Sequence, residues 1–523
     1  MKKILILIIV LNCAFSFSQF DVKWSELVAV KGRVSTVLPV SYSDFYTTRY
    51  SGPRMFPTLY LTKHANFSVT SRGKLTAKLE NGVGIIEGLS IIKDIPVVFI
   101  SDKKDGENRL YYQKYSNLCE PYGLPKEITS YKMPKGWKRK GEFYIHFSDN
   151  KEFFCIDYEI PGSKEEKDKF GYKVMSSEFE VISEGEYELP YESNLVSISN
   201  NYLSNTGDYF LAAKVYKENG EKKMFKSRLN LDKVILMQVT PDGLEEFDLE
   251  FKNGKTISDL TFSSDNKKLM SFTGLYGESG FGGIKGVFFF QLDFNKKQII
   301  NEGWNEFGKD FITEGWSDRS KEKAEKKASK GKGEPALYEY DVRDIQTLKD
   351  GSLIGMLEQY YVVVHTYTDP KTGATSTTYT YYYNDLIVYK INKDGSFDWM
   401  KKIKKTQVST NDGGFYSSIA SFVSGNKLNI LFNDNLKNYD EQGKFIDVDN
   451  RFYPASYRKK TNTVALVEVD LEEGEIDRKT YFDRKETNAY AVPKKFLVDY
   501  TKNEMLMVLV YGKKEKYGVL SFE

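Results

Sequence analysis

The sequence predicts an all-β chain, a single β-propeller of seven to eight four-stranded blades, and three observations carry that expectation. A strand–turn–strand unit recurs along most of the chain. The composition is rich in Tyr (37) and Phe (35), which suit a pleated, half-buried surface, and poor in His (3), Cys (3) and Trp (5). The two chain ends carry complementary defects that pairing would repair.

The clearest unit runs from Val342 to Ile403. A strand-like run to Leu348 turns at Lys349-Asp350-Gly351 into the apolar run from Leu353 to Met356. A third run, Leu386 to Ile391, turns at Asn392-Lys393-Asp394-Gly395 into a fourth carrying Phe397 and Trp399. Asp-Gly between apolar runs is a hairpin signal, since both residues accept positive φ and leave the flanking strands correctly twisted. Four antiparallel strands joined by tight turns make one blade.

Other copies lie over this template. Val234 to Val239 with Thr240-Pro241-Asp242-Gly243, Val287 to Leu292 with Asp293-Phe294-Asn295-Lys296, and Val464 to Val469 closed by Asp470 to Gly474 match its third strand and turn. Ile257 to Phe262 with Ser264-Asp265-Asn266, and Tyr416 to Phe422 with Ser424-Gly425-Asn426, match its first hairpin. Earlier copies flank Lys104-Asp105-Gly106 and Ser148-Asp149-Asn150, and residues 27–80 hold the least regular one. Unequal loops hide any fixed period. At the ends, Phe20-Asp21-Val22-Lys23-Trp24 resembles an isolated fourth strand, while the stretch from Lys495 to Phe522 supplies three strands and stops. Phe20 to Leu27 is therefore expected beside Tyr517 to Phe522, hiding both exposed edges.

Compartment follows from the N-terminus. Two lysines, an apolar run from Ile4 to Phe15 and small residues at Ser16 and Ser18 read as a signal peptide over residues 1–18. The run is shorter than the roughly 20 residues that cross a bilayer, so no transmembrane segment is expected after cleavage. A lipid anchor on Cys13 is disfavoured by Asn12 before it, which leaves a periplasmic or extracellular chain. Cys119 and Cys155 remain, as a bridge or as two buried thiols.

Charge and motifs exclude several classes. Lys plus Arg total 75 against 73 for Asp plus Glu, so there is no one-signed field and nucleic acid is not an implied partner. His64, His146 and His365 lie in separate units with no Cys or carboxylate at ligand spacing, so no metal site and no nucleophilic triad is read. No cofactor is implied.

Candidate sites are of two kinds. The run from Gln359 to Tyr383 overshoots a blade and turns at Asp369-Pro370-Lys371-Thr372-Gly373. A five-residue loop would set Tyr361 opposite Tyr381 and Val363 opposite Tyr379, gathering Tyr361, His365, Tyr367, Tyr379 and Tyr381 into one ligand-binding surface. The plainer reading folds this hairpin back onto its neighbour. Asp259 and Asp344 occupy equivalent first-strand positions, which line the central channel of a propeller. They would serve there as paired carboxylates, or else cap backbone turns. Near 307–335 the chain turns helical, and Arg319 to Lys332 holds seven basic residues, read as a solvated segment or a basic arm.

Several stretches, Gly274-Leu275-Tyr276 with Ile284-Lys285-Gly286, Glu358-Gln359-Tyr360-Tyr361, Asn384-Asp385 with Asn392-Lys393-Asp394-Gly395, and Asn433-Asp434-Asn435, resemble a group of uncharacterised exported β-propeller-like proteins of Bacteroidota-type bacteria. The resemblance implies fold and compartment only. Leu386 to Trp399 also looks like a quinoprotein repeat, but Gly and Trp occur together only there, so a quinone is not implied. The expected function is a binding or scaffold protein of the cell envelope, its partner an envelope protein or a glycan. The alternative is a glycan-active enzyme, a lyase or hydrolase, with its site at the channel mouth.

Overall fold

Strands dominate because apolar runs alternate with short turns that reverse the chain. The computed structural model describes residues 20–522 apart from 42, 53–56, 81, 134–140, 161–165, 217–230, 249–254, 265–268, 279–282, 315, 330–334 and 447–451. The expected signal peptide lies outside the described residues. Among those described, eight antiparallel sheets follow one another along the chain, the first seven built from consecutive strands and the eighth from C-terminal strands joined by the N-terminal Val22–Trp24 and Val28–Ala29. Their first strands begin at Arg33, Ile85, Phe143, Val196, Lys255, Tyr340, Ala420 and Tyr490. A two-stranded ribbon, Lys78–Leu79 with Gly82–Val83, sits between sheets one and two. Among the described residues, no helix is long and apolar enough to cross a membrane.

One turn recurs at 116–120, 148–152, 176–180, 204–208, 348–352 and 392–396. In each, the fourth residue has positive φ and donates its N–H to the carbonyl of the first, at 2.9–3.1 Å. Gly207, Gly351 and Gly395 adopt that conformation freely. Cys119, Lys151 and Phe179 hold it at a cost of roughly 1 kcal/mol each, which the surrounding ladder offsets. Cys119 and Cys155 are free thiols, buried in sheets two and three.

The middle strands carry the core. Gly286–Asp293 in sheet five is buried at every position, as is all but the last residue of Asn462–Asp470 in sheet seven. Burial on both faces means that each sheet is covered by a neighbour on either side. Each successive pair of sheets shares an apolar cluster. Ile354, Met356 and Val388 of sheet six, for example, pack on Ile430, Phe432 and Val467 of sheet seven. The series continues past the last sheet. Val34, Val37 and Phe45 of sheet one pack on Leu506, Val508, Tyr517 and Val519 of sheet eight.

Two further contacts join the chain ends. Val22–Trp24 pairs antiparallel with Gly518 to Leu520, and Val28–Ala29 with Lys514 and Glu515. Trp24 packs edge-on against Phe482 at 5.2 Å, Phe20 against Phe422 at 5.2 Å, and Tyr481 Oη donates to the carbonyl of Phe20 at 3.0 Å. The second contact is ionic. Arg49, fully buried in sheet one, donates to Glu515 Oε1 at 2.7 Å and also to Oε2, and to Tyr517 Oη at 3.0 Å. Its Nε donates to Thr47 Oγ1 at 2.9 Å, so the Thr47 hydroxyl proton is free to point at His64 Nε2, 3.1 Å away. That relay requires His64 to be unprotonated at Nε2. Burial, reinforced by the Arg49 charge, pushes its pKa down to about 3.

Deleting residues 20–27 removes the edge strand and bares the apolar face under Trp24. We expect a loss of roughly 3–5 kcal/mol in denaturant unfolding; an unchanged midpoint contradicts the pairing. His64 yields a pH dependence. Its folded pKa lies below the unfolded value near 6.5, so its contribution is complete above about pH 6.5 and is lost as pH falls toward 3, by up to ~1.4 kcal/mol per unit. Comparing wild type with His64→Gln at pH 7 and 4.5, the stability difference should shrink by about 2–3 kcal/mol at the lower pH. A pH-independent difference contradicts a neutral buried imidazole.

Candidate functional site

In an antiparallel sheet successive turns alternate between its two ends. Links from first to second and from third to fourth strands share one end; links from second to third strands, and crossovers to the next sheet, share the other. On the first end no described turn exceeds five residues. The second end carries the helices Lys309–Thr313 and Asp318–Ala328, the hairpin of sheet six, and the segments 404–419, 436–446, 452–461 and 484–496. Chain length is thus concentrated on one face, where binding residues are commonly placed.

The hairpin is formed by Leu353–Thr368 and Thr375–Ile391. Its inner half is buried, its outer half exposed. The strand Gln407–Thr410 pairs with Thr380 to Tyr383 and covers one edge of its base. Asn411 clasps Tyr379, accepting from its N–H and donating to its carbonyl, both at 2.9 Å. The register differs by one residue from the expected one, because the connection is six residues and includes Ala374. Asp369 N donates to the Ala374 carbonyl, and Asp369 Oδ1 accepts from Lys371 N at 2.7 Å. Tyr361 therefore faces Tyr382, Val362 faces Tyr381 and Val364 faces Tyr379. A one-residue slip moves every side chain to the opposite face. Tyr361, His365 and Tyr367 lie on one face, Tyr379 and Tyr381 on the other with Val362 and Val364, so the expected single surface is two. Tyr361 stacks on Tyr382 at 4.6 Å. His365, Tyr367 and Tyr379 are exposed; Tyr361 and Tyr381 are half-buried.

Asp259 and Asp344 each follow a bulge in a first strand, and each reaches the next sheet. Asp259 Oδ2 accepts from Val342 N at 2.8 Å; Asp344 Oδ2 accepts from Ser421 Oγ at 3.2 Å and Gln346 Nε2 at 2.8 Å. Asn200, also after a bulge, donates to the Leu260 carbonyl at 3.1 Å. These residues latch one first strand to the following one, and no described contact joins the two carboxylates to each other. Burial raises the pKa of Asp344, with the Gln346 and Ser421 hydrogen bonds opposing.

Sequence reasoning missed a cavity of about 290 Å³ between the inner strands of sheet three and the first strand of sheet four. Tyr144, Asp157 and Glu159 line one side, Ser199, Asn200 and Asn201 the other. Beneath it His146 Nε2 lies 3.3 Å from Asp157 Oδ1 and 3.0 Å from Asn201 Nδ2, while Tyr209 Oη donates to Asp157 Oδ2 at 2.5 Å. With Asn201 donating to it, Nε2 has no proton to give Asp157, so the pair does not form a base relay. The sequence hides this pair because Asp157 is 11 residues from His146; only the tight turn at 148–152 brings the two strands into register.

A buried ionic node was missed as well. Glu358 accepts from Lys405 Nζ at 2.7 Å, Ser418 Oγ at 2.7 Å and Arg343 Nε at 2.7 Å. Lys405 also donates to the Tyr383 carbonyl at 3.0 Å and to Gln407 Oε1 at 3.2 Å. Burial depresses the Lys405 pKa against the pull of Glu358. Ser418 sits at φ +74°, held by its N–H to Gln407 Oε1 at 2.7 Å. The node fastens the crossover 404–419 to the hairpin base.

No family model matches the chain, and no curated protein does. Among solved structures, the Dos1 propeller is similar at TM-score 0.43 and 9% identity, covering 96% of this chain and 96% of that one. Oligogalacturonate lyase in complex with manganese gives 0.35 and 10% over 97% and 98%. A protein of unknown function from Bacteroides caccae gives 0.26 and 12% over 68% of this chain and 93% of that one. At these values nothing about activity passes to this chain.

Proposed function

We propose that the chain is an exported, closed eight-bladed β-propeller that acts as a binding or scaffold protein of the cell envelope, taking an envelope protein or a glycan on its long-loop face. The observation that carries this reading is the hairpin of sheet six. Its base is fixed by the strand Gln407–Thr410 and by the Glu358 node, yet its outer half leaves Val364 52%, Tyr367 62% and Tyr379 44% exposed. A rigid ribbon with uncovered tyrosines offers large contact area at small entropic cost. Closure is supported by the cluster between sheets eight and one and by the pairing of Val22–Trp24.

The enzyme reading keeps one specific observation, the cavity lined by Tyr144, Asp157 and Glu159. Asp157 is already engaged by Tyr209, and His146 by Asn201, so these two described residues do not stand as a free acid and base pair at the cavity. Binding without turnover is the better account.

Two face-specific variants test the proposal by capture from envelope extract. Val364→Thr with Tyr379→Ala alters one face, His365→Ala with Tyr367→Ala the other. One pair should lower capture by about tenfold or more, in keeping with the removal of a tyrosine anchor. Both should stay within roughly 0.5 kcal/mol of wild-type stability, as exposed substitutions do. Undiminished capture in both variants contradicts the assignment, and so does a large stability loss, which would make the ribbon part of the core.

A further inference from the structure

Four cationic side chains gather on the long-loop face beside the first strands of sheets six, eight and one. Arg343 lies at the bulge of Tyr340–Thr347, Lys494 and Lys495 in the 3-10 turn Pro493–Lys495 ahead of Leu497–Asp499, and Arg33 opens Arg33–Pro39. Two rings interleave them. The Phe415 centroid is 4.3 Å from the Arg33 guanidinium and 5.7 Å from Lys495 Nζ. The Tyr383 centroid is 4.8 Å from Lys494 Nζ and 5.7 Å from the Arg343 guanidinium.

Their partners are mostly neutral. Lys494 Nζ donates to Tyr383 Oη at 3.2 Å and the Gly413 carbonyl at 3.4 Å; Lys495 Nζ donates to the Ser35 carbonyl. Among the described residues, no carboxylate lies within ion-pair distance of Arg33, Lys494 or Lys495. Arg343 pairs with Glu358, but Lys405 shares that carboxylate. Glu515 is committed to Arg49, and Asp412 Oδ1 is taken up by Ser409 Oγ at 2.6 Å and Gly414 N at 2.8 Å. Burial lowers the pKa of Lys494, with Arg343 and Lys495 adding to the fall and Glu358 and Asp412 opposing; burial and then Arg33 lower that of Lys495, with Glu515 opposing.

Four like charges held together with only the shared Glu358 as a direct ion-pair partner repel, and the crossover that carries Phe415 has four positive-φ residues, Asn411, Gly413, Gly414 and Ser418, that hold its shape. A group that supplies negative oxygens would turn this repulsion into charge-assisted hydrogen bonds. We propose that Arg33, Arg343, Lys494 and Lys495 form a binding site for an oxyanion, the carboxylate of an acidic sugar or a sulfate or phosphate group, between sheets six, eight and one. The site shares its face with the hairpin but none of the hairpin's candidate residues, so either assignment can fail alone.

Calorimetric titration of the mature chain with sodium sulfate, sodium phosphate and sodium glucuronate, each against sodium chloride at equal ionic strength, tests it. Saturable binding of at least one is expected, with Lys494→Gln/Lys495→Gln weakening it by about tenfold or more. Lys326→Gln/Lys327→Gln, which removes the same charge from the exposed helix Asp318–Ala328, should leave it unchanged. The anion that binds identifies the source: glucuronate alone points to a sugar carboxylate, sulfate or phosphate alone to an ester. Without ligand, the Lys494/Lys495 variant should melt no lower than wild type, since relieving repulsion removes a cost; a lower midpoint would make the lysines structural. No saturable binding beyond chloride, or equal weakening in both variants, overturns the proposal.

Discussion

Every sheet of this chain has two apolar faces, and the contact between the first and last sheets is what lets all of them be covered. A row of such sheets would end in two bare faces, each offering unpaired surface to other chains. Here the face of sheet one carrying Val34 and Phe45 meets the face of sheet eight carrying Leu506 and Val508, and the Arg49–Glu515 pair is buried between them. Glu515 and Tyr517 hold the Arg49 guanidinium charged despite its burial. A buried pair of this kind adds little net stability over an apolar isostere, but an unpaired member would be costly, so the pair selects the arrangement in which these two sheets meet. In the closed ring proposed above, that contact is the seam.

The seam has consequences for the working face. Lys494 and Lys495 are carried by the segment that enters sheet eight, and Arg33 by the strand that enters sheet one. Their approach to Arg343 of sheet six depends on sheets six to eight and sheet one following one another without a gap. The latches from Asn200, Asp259 and Asp344 to the next first strand work in the same direction, fixing the spacing of successive sheets at their first strands. Stable spacing, tight turns on one end and long segments on the other are what the proposed binding role requires.

What was legible in the sequence is what depends on near neighbours in the chain. Asp350-Gly351 and Asp394-Gly395 announce their turns, and the apolar runs beside them are strands. The same turn at 116–120 and 176–180 is carried by Cys119 and Phe179, residues that give no turn signal, so those copies were harder to see. Tyr416 to Phe422 reads as a strand, but Gly413, Gly414 and Ser418 bend the chain there and the strand begins only at Ala420. In the hairpin, a single uncounted residue, Ala374, transferred the tyrosines between faces. Asp259 and Asp344 were visible as equivalent positions, while their partners on the next sheet were not. The Arg49–Glu515 pair spans 466 residues, and no local pattern reports such a contact.

The most direct measurement is a double-mutant cycle on that pair, read by denaturant unfolding of Arg49→Leu, Glu515→Leu and the double variant. If sheets one and eight meet there, each single substitution strands a buried charge and costs about 3–5 kcal/mol, while the double costs well below the sum. Additive losses would mean that the two side chains do not meet, and that the first and last sheets of this chain are not neighbours.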